Sequence, residues 1–198
     1  MALANTSPGT SVDAQSIEVA FRQILEAVGE EPSREGLVDT PARVARMYAE
    51  VFAGMQQDPM EVLRTGFEEG YDEMMVTRDI PFFSMCEHHF LPFYGVAHIG
   101  YVPRGRVVGI SKLARVTDIF ARRPQVQERL TMQIADALVE ALNPIGAGVV
   151  IEAEHLCMVM RGVKKPGSKI VTSVNRRCFR DDPRSREEFL SLAGLHAH

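Results

Sequence analysis

The sequence lacks the features that would place it in a membrane or outside the cell. No apolar run approaches the roughly 20 residues that a helix needs to cross a bilayer. Residues 1–15 contain neither the basic nor the apolar segment of a secretory signal. Three cysteines cannot all pair within one chain, so a disulfide framework is not expected. These absences predict a cytoplasmic protein without a membrane partner, whose cysteines bind a metal or are buried.

An excess of positive charge is also missing. The chain has 22 Lys and Arg against 26 Asp and Glu, a net charge of −4. Broad nucleic-acid binding usually needs a basic surface, so no nucleic-acid partner is predicted. A small anionic ligand remains compatible with this balance, because a local cluster of Arg and Lys is enough to bind it.

The residues that are present suit one folded domain. Length and an apolar content of 45% are typical of a soluble globular chain. Residues 1–15 are small and polar and predict a flexible tail, and residues 16–198 predict a single domain. We divide that domain into an N-terminal helical part, 16–73, and a second part, 74–198, where the pattern changes to strands and helices.

Hydrophobic periodicity predicts five main helices and four strands. The expected helices are 17–28, 40–52 (capped by Asp39 or Thr40 and closed by Gly54), 111–120, 124–141 and 183–192. The expected strands are 75–86, 93–102, 149–159 and 168–174. Residues 55–73 predict a connecting loop with a short helix. Because the strands come in hairpins without βαβ alternation, the fold class is α+β with an antiparallel sheet.

A metal site is indicated by Cys86 and His89, whose Cys-x-x-His spacing brings a thiolate and an imidazole together. A third ligand must come from elsewhere in the chain. Cys157 is one candidate, because it lies two residues after His155 on a predicted strand and so shares its face. Cys178 is the alternative, although it has no histidine nearby.

Two cysteines and one histidine would leave a tetrahedral zinc ion with an open position, as in catalytic sites. Water bound there has a pKa of about 7, which makes a nucleophile available at neutral pH. His88 and His155 each neighbour a candidate ligand and could donate or accept protons. His98 is better explained as an ordinary strand residue, and burial of Cys157 as a small hydrophobic side chain remains the competing interpretation.

An anion site is indicated at the start of the predicted helix that contains Ser111, Lys112 and Arg115. Free backbone N–H groups, the helix dipole and two cations suit a phosphate there. Arg161 follows Cys157 by four residues and shares its face if the strand persists. Gln127 and Glu128 fall in the first turn of the next helix, where an amide and a carboxylate could read a nitrogen base or simply favour the helix dipole.

Several segments resemble the GTP cyclohydrolase I family. They are Asp39-Thr-Pro-Ala-Arg-Val-Ala-Arg-Met-Tyr48, Ser84-Met-Cys-Glu-His-His-Phe90, Gly109-Ile-Ser-Lys-Leu-Ala-Arg115, Arg123-Pro-Gln-Val-Gln-Glu-Arg-Leu130 and His155-Leu-Cys-Met-Val-Met-Arg-Gly162. The resemblance extends in order over about residues 17–192. Two departures are Ile170, where many relatives have Thr, and Arg177, where a Gly is common; neither is expected to contact the site.

The resemblance implies a tunnelling fold (T-fold): a four-stranded antiparallel sheet with two packed helices, preceded here by N-terminal helices. It also implies a homodecamer of two stacked pentamers with active sites between subunits. The implied reaction converts GTP and water to 7,8-dihydroneopterin triphosphate and formate, the first step towards tetrahydrofolate or related pterins.

Each site residue acquires an implied role from the family. The metal ligands, for one Zn²⁺ per subunit, are Cys86, His89 and Cys157. The acid–base residues are His88 and His155. The guanine-reading residues are Glu128 with Gln127, and the triphosphate contacts are Lys112, Arg115, Arg161 and Arg43, with Ser111 as a weaker member.

Three other functions compete with this interpretation. A zinc-stabilised scaffold that binds nucleotides without catalysis would not need His88 and His155. A nitrile reductase of the same fold would use a nucleophilic cysteine and NADPH, which the two-cysteine, one-histidine pattern does not favour. A zinc deaminase would need His-x-Glu followed by Pro-Cys-x-x-Cys, which the sequence lacks.

Overall fold

The computed structural model describes residues 12–195, which form eight helices and seven strands within that range. The helices are α1 (Ala14–Ala27), α2 (Thr40–Val51), α3 (Pro59–Leu63), α4 (Ile110–Ala121), α5 (Gln127–Leu142), α6 (Leu156–Val159), α7 (Cys178–Asp181) and α8 (Pro183–Leu192). The strands are β1 (Gly66–Glu68), β2 (Met75–Cys86), β3 (Pro92–Val102), β4 (Arg106–Val108), β5 (Pro124–Gln125), β6 (Gly146–His155) and β7 (Lys169–Arg177). A short 3₁₀ turn spans Ala53–Gln56.

The main sheet has the strand order β5-β2-β3-β6-β7. The four long strands β2, β3, β6 and β7 are antiparallel to their neighbours, which confirms the predicted α+β class and its four-stranded antiparallel sheet. The short β5 adds a parallel bridge to the end of β2, so the complete sheet is mixed. Strands β1 and β4 form a separate two-stranded sheet that joins residues on either side of the proposed boundary at 73/74.

Two hydrophobic clusters lie on opposite faces of the main sheet. The larger one packs α4 and α5 against the sheet, through residues such as Phe93, Ile151 and Leu138. The smaller one packs α7 and α8 against the other face, around Phe179 and Phe189. Alternation along β6 produces this division, because Val149, Ile151 and Ala153 point to one face and Val150 to the other. The two helices predicted to cover one face are therefore α4 and α5.

The N-terminal helices begin close to the predicted positions. Helix α1 starts at Ala14 because Asp13 caps it by accepting from the Ser16 N–H, so residues 14 and 15 of the predicted tail are helical. Residues 1–11 of that tail lie outside the described range. Gly54 does not close α2 directly, because α2 ends at Val51. It lies instead in the 3₁₀ turn, where a Cβ atom would be 2.1 Å from the Ile119 carbonyl oxygen.

Three local predictions were wrong. The strand expected over 149–159 begins at Gly146 and ends at His155, and the chain turns into the helix α6. The helix expected from Pro124 begins at Gln127, because residues 124–125 bridge β2. The loop expected over 55–73 contains not only the short helix α3 but also the strand β1.

Candidate active site

Cys86, His89 and Cys157 come together as a group of potential metal ligands. One ligand atom from each lies within 4.8 Å of the others. Cys86 is the last residue of β2 and is buried, whereas His89 is exposed. Cys157 is on α6, directly after β6. Within residues 12–195 this is the one group of three or more such side chains with metal-ligand proximity.

The loop that connects Cys86 to His89 is fixed by main-chain hydrogen bonds. The Cys86 N–H donates to the Leu91 carbonyl (2.9 Å), and the Phe90 N–H donates to the Cys86 carbonyl (2.8 Å). The Glu87 N–H donates to the Gln125 carbonyl (2.9 Å), so β5 holds the loop from outside. These bonds close a tight turn that directs Cys86 and His89 to the same point.

Cys157 reaches the group by a route that the sequence analysis did not anticipate. Cys157 is in a helical turn and Arg161 follows it, so the predicted strand positions of Cys157 and Arg161 were wrong. Antiparallel pairing of Phe93 with His155 places the end of β6 next to the start of β3, which follows the metal loop. Cys178 is packed near the smaller hydrophobic cluster and is absent from the ligand group. The alternative third ligand is therefore excluded.

The donor set suits zinc. Two thiolates and one imidazole are typical zinc ligands, and three protein ligands leave one tetrahedral position open. Tetrahedral bonds of about 2.0–2.3 Å place ligand atoms about 3.3–3.8 Å apart, which is within the 4.8 Å spread of this group. Proximity to Cys86 and burial raise the pKa of the Cys157 thiol, burial being the larger cause. A divalent cation would offset this effect by stabilising the thiolates.

His155 lies beside this group, and its ring contacts Phe93 and Gln127. It is 9% exposed, and its ring stacks on Phe93 with centroids 4.5 Å apart and an interplanar angle of 4°. Its Nε2 atom lies 2.8 Å from the Gln127 Oε1 atom. Burial lowers the pKa of His155, and the opposing effect of Glu128 is smaller. The ring therefore favours the neutral form, which can accept a proton.

Gln127 determines which nitrogen of His155 carries the hydrogen. The Gln127 Nε2 group donates to the carbonyls of Ile151 and Ile170 and to Thr172 Oγ1, at 2.9–3.1 Å. The amide oxygen must then face His155, and because it only accepts, His155 Nε2 must be protonated. Gln127 is 1% exposed, so its polar atoms are used within the chain. Ile170, expected not to contact the site, does so through its main-chain carbonyl.

The first turn of α5 carries two further site residues. Glu128 is exposed and close enough to His155 to affect its pKa. Arg129 forms a bidentate ion pair with Glu87, at 2.6 and 2.9 Å. The sequence predicts a role for Glu128 but not the Glu87–Arg129 ion pair, because a contact across 42 residues leaves no local signal. His88 is exposed, and its Nε2 atom is 3.9 Å from a Glu87 oxygen.

Of the residues expected to bind phosphate, Arg161 is the one in contact with the ligand group. Its Nη1 atom lies 3.1 Å from His89 Nε2. Arg43 instead bonds the Thr40 hydroxyl and the Gly36 carbonyl near the start of α2. Arg115 lines a polar cavity of about 390 Å³ between α3 and α4, together with Asp58 and other residues.

Ser111 and Lys112 lie at the far end of α4 from the metal loop. The Ser84 hydroxyl, near the end of β2, donates to the Ala121 carbonyl at the C-terminal end of α4. A rise of 1.5 Å per residue separates Ser111 from Ala121 by about 15 Å along the helix axis. The N-terminal turn of α4 is therefore distant from the ligand group of the same chain.

Among residues 12–195, no helix combines the length and apolar character needed to span a membrane.

Comparison with known proteins agrees with this geometry. The GTP cyclohydrolase I family profile matches residues 17–194. GTP cyclohydrolase 1 of a Dehalococcoides mccartyi strain is 62% identical over 182 residues, covering 91% of this chain and 96% of the relative. The Carboxydothermus hydrogenoformans protein of the same name is 62% identical over 184 residues, with 92% and 96% covered. That of Geobacillus kaustophilus is 60% identical over 182 residues, with 91% and 97% covered.

Among solved structures, the apo form of the archaeosine synthase QueF-Like superposes with a TM-score of 0.39 and 16% identity. It covers 52% of this chain and 90% of its own, a likeness too weak to carry an argument. The family match spans nearly the whole described range and includes every residue of the ligand group. With identities near 60% over more than 90% of its length, the chain belongs to the GTP cyclohydrolase I family.

Proposed function

We propose that Cys86, His89 and Cys157 hold the zinc ion with which this family member converts GTP and water to 7,8-dihydroneopterin triphosphate and formate. This reaction is the first step of tetrahydrofolate and related pterin biosynthesis. The observation that carries the assignment is the convergence of three ligand atoms within 4.8 Å, beside a buried and oriented histidine. When bound, zinc supplies an activated water molecule for attack on C8 of guanine.

His155 is proposed to move protons at that centre. Gln127 holds the hydrogen on Nε2, so Nδ1 is the nitrogen whose lone pair can accept a proton. Stacking on Phe93 fixes the plane of the ring. A neutral, oriented imidazole can take a proton during ring opening and return it when formate leaves. His88, exposed within the metal loop, is proposed as the second acid–base group on the substrate side.

Glu128 is proposed to read the guanine base. Its carboxylate is exposed at the first turn of α5, where it can accept from the N1–H and the exocyclic amino group of guanine. Adenine would leave these acceptors unpaired, which discriminates strongly against it. Gln127 is proposed to act through His155, since its side chain is buried and bonded within the chain.

Cations from more than one segment are proposed to bind the triphosphate. Arg161 lies at the ligand group, but Ser111 and Lys112 are separated from it by the length of α4. We therefore propose that a neighbouring subunit supplies Ser111, Lys112, Arg115 and Arg43. Clustered Arg and Lys would offset the charge of the triphosphate.

A homo-oligomer with sites between subunits accommodates this arrangement, and we propose the family's decamer of two stacked pentamers. The sheet offers edges for such assembly. In the described part of the chain, β7 pairs with β6 on one side and has no strand on its other side. On the outer side of β2, the short β5 pairs only with residues 85–86. Such open edges can pair with another chain. Ile110, 68% exposed directly before Ser111, also suits burial against a second subunit.

The central experiment is incubation of purified protein with GTP. We expect release of formate and a pterin fluorescence signal, both lost after chelation and restored by Zn²⁺. ATP at the same concentration is the matched substrate control and should release no formate. Zinc-loaded protein that binds GTP but releases no formate would contradict the proposed function.

Sharing of the site between subunits can be tested by complementation. Cys86→Ser and Lys112→Met variants are each expected to be inactive alone. Co-expressed, they should form mixed oligomers in which some sites combine intact residues from two chains, and activity should return. Mixed oligomers without activity would show that Lys112 serves the metal centre of its own chain.

A further inference from the structure

We propose that the Glu87–Arg129 ion pair is a positioning device that fixes the metal-binding loop to the first turn of α5. It would thereby set the distance between the metal ligands and the guanine-reading carboxylate of Glu128. This inference rests on the function proposed above and assigns a role to two side chains that the mechanism does not otherwise use.

The pair joins two elements that each carry part of the site. Glu87 lies directly after the ligand Cys86 and two residues before the ligand His89. Arg129 lies directly after Glu128 in α5. The guanidinium donates from Nη1 to Oε2 at 2.6 Å and from Nη2 to Oε1 at 2.9 Å. Two parallel bonds constrain orientation as well as distance, which a single contact cannot do.

The first turn of α5 thus carries three consecutive residues with different surroundings. Gln127 points inward and orients His155. Glu128 is exposed to solvent. Arg129 holds the metal loop through Glu87. One rigid helix therefore sets the relative positions of the proton-transferring ring, the base-reading carboxylate and the metal ligands.

The main-chain bonds fix the shape of the loop, but none of them joins residues 86–91 to α5 itself. The Glu87 N–H contacts Gln125 on one side of the loop, and the other bonds are within residues 86–91. The Glu87–Arg129 pair adds an attachment on α5 itself, beyond the contact with β5. A shift of about 1 Å between reacting groups can cost about 100-fold in rate, so a second attachment has a direct catalytic consequence.

Simple stabilisation is a weaker explanation for this pair. The Glu87 and Arg129 side chains are 31% and 39% exposed, and ion pairs at such positions contribute about 0–1 kcal/mol to stability. The bidentate geometry favours specificity of placement, for which Arg is suited and Lys is not.

The test compares Arg129→Gln, Arg129→Lys and Glu87→Gln with a matched control on the same helix. Asp136, also on α5, pairs with Arg176 at 2.6 Å, with side chains 27% and 30% exposed. Asp136→Asn therefore removes an ion pair of similar exposure away from the metal loop. Steady-state kcat and KM for GTP, zinc content and thermal stability are measured for each variant.

We expect kcat/KM to fall about tenfold or more in Arg129→Gln and Glu87→Gln, as is typical when residues that orient a metal site are lost. Zinc content should stay near that of the wild type. Arg129→Lys should restore little of the lost kcat/KM, because a lysine ammonium cannot make the two parallel bonds of the guanidinium. In the double variant, kcat/KM should fall no further than in the worse single variant, since each substitution removes the same ion pair.

A readout independent of turnover comes from cobalt. Co²⁺ bound in place of Zn²⁺ by two thiolates and an imidazole absorbs visible light, and the bands depend on ligand geometry. Arg129→Gln should change this spectrum, whereas Asp136→Asn should leave it as in the wild type. Such a change would show that the pair acts on the metal loop itself.

Three outcomes separate the claims. Active wild type with unchanged kinetics and cobalt spectrum in Arg129→Gln would overturn the positioning role and leave the proposed function standing. An equal loss of kcat/KM in Asp136→Asn would also overturn it, because any ion pair on α5 would then have the same effect. Wild type without formate release would instead refute the proposed function.

Discussion

His155 Nε2 and Gln127 Oε1 lie 2.8 Å apart, and this contact fixes the tautomer of the histidine. Three acceptors around the Gln127 Nε2 group leave the amide no alternative orientation. The Gln127 carboxamide therefore sets the tautomer of His155, because its Oε1 atom accepts and His155 Nε2 must carry the hydrogen. A glutamine in the first turn of a helix has no such role by itself, so the relationship depends on the packing of α5 against β6.

Replacement of Gln127 by Leu tests whether this contact orients His155. General acid–base groups contribute about 10²–10⁴-fold to rate, so a misoriented His155 should lower kcat on the order of tenfold to 100-fold, with a small effect on KM. Unpaired acceptors should also cost about 1–3 kcal/mol of stability. Steady-state kinetics and urea denaturation measure the two effects.

Gln125 provides the control for this substitution. It is equally buried, and its amide donates to Phe120 and Gln133 rather than to a histidine. Gln125→Leu should lower stability while retaining most of kcat. If both variants lost kcat equally, a specific role for Gln127 would be untenable.

Cysteine substitutions test the ligand set. Cys86→Ser and Cys157→Ser should each lose bound zinc and GTP-dependent formate release, because a site with two remaining ligands binds zinc weakly. Cys178→Ser should keep both, since Cys178 is outside the ligand group. Metal content by mass spectrometry and a formate assay report the result. Full zinc occupancy in Cys157→Ser would contradict the assignment.

Arg177 combines backbone strain with a favourable side-chain contact. Its φ of 56° and ψ of −131° suit glycine. Its guanidinium donates to the Pro144 carbonyl and to Asn143 Oδ1 just after α5. Removal of the side chain should therefore destabilise the protein, and restoring a glycine should offset part of that loss.

We accordingly expect Arg177→Ala to be less stable than Arg177→Gly by about 1 kcal/mol, because both lose the guanidinium and Gly alone relieves the strain. Urea denaturation of the two variants gives the difference directly. Equal stability would indicate that the backbone relaxes when the side chain is removed.

His98 should make stability depend on pH. It is buried where Asp79 N–H donates to its Nδ1 atom (3.4 Å). Burial lowers its pKa below the ordinary 6.5, although nearby Asp79 and Glu152 oppose this and Arg78 adds to it. The unfolded chain then binds the proton more readily, so the free energy of unfolding should fall as pH drops below about 6.5.

His98→Asn keeps an acceptor but removes the titrating ring. The difference in unfolding free energy between wild type and variant should therefore change between pH 7.5 and 5.5, with the wild type losing more. Urea titrations across that range measure it, and effects of the other histidines cancel in the difference. A constant difference would show that His98 does not titrate differently in the two states.

Much of the architecture follows from local patterns. The bounds of β2 and α8 agree with those predicted, and for α8 the proline at the first helical position is a local signal. The failures occur where a distant segment intervenes. Pro124 joins β5 rather than a helix because the end of β2 offers backbone partners there. The strand after His155 gives way to α6, although its residues favour extended structure.

The sequence by itself determined the five main helices, the four long strands and the closeness of two of the three candidate metal ligands, since one tight turn brings Cys86 and His89 together. It also predicted roles for His88, His155 and Glu128 from their motifs, and those roles stay predictions. Tertiary structure decided between Cys157 and Cys178, oriented His155 through Gln127, and paired Glu87 with Arg129. These contacts join residues 28 to 71 positions apart, and their partners depend on how the sheet and α5 pack. Local periodicity carries no information on that packing.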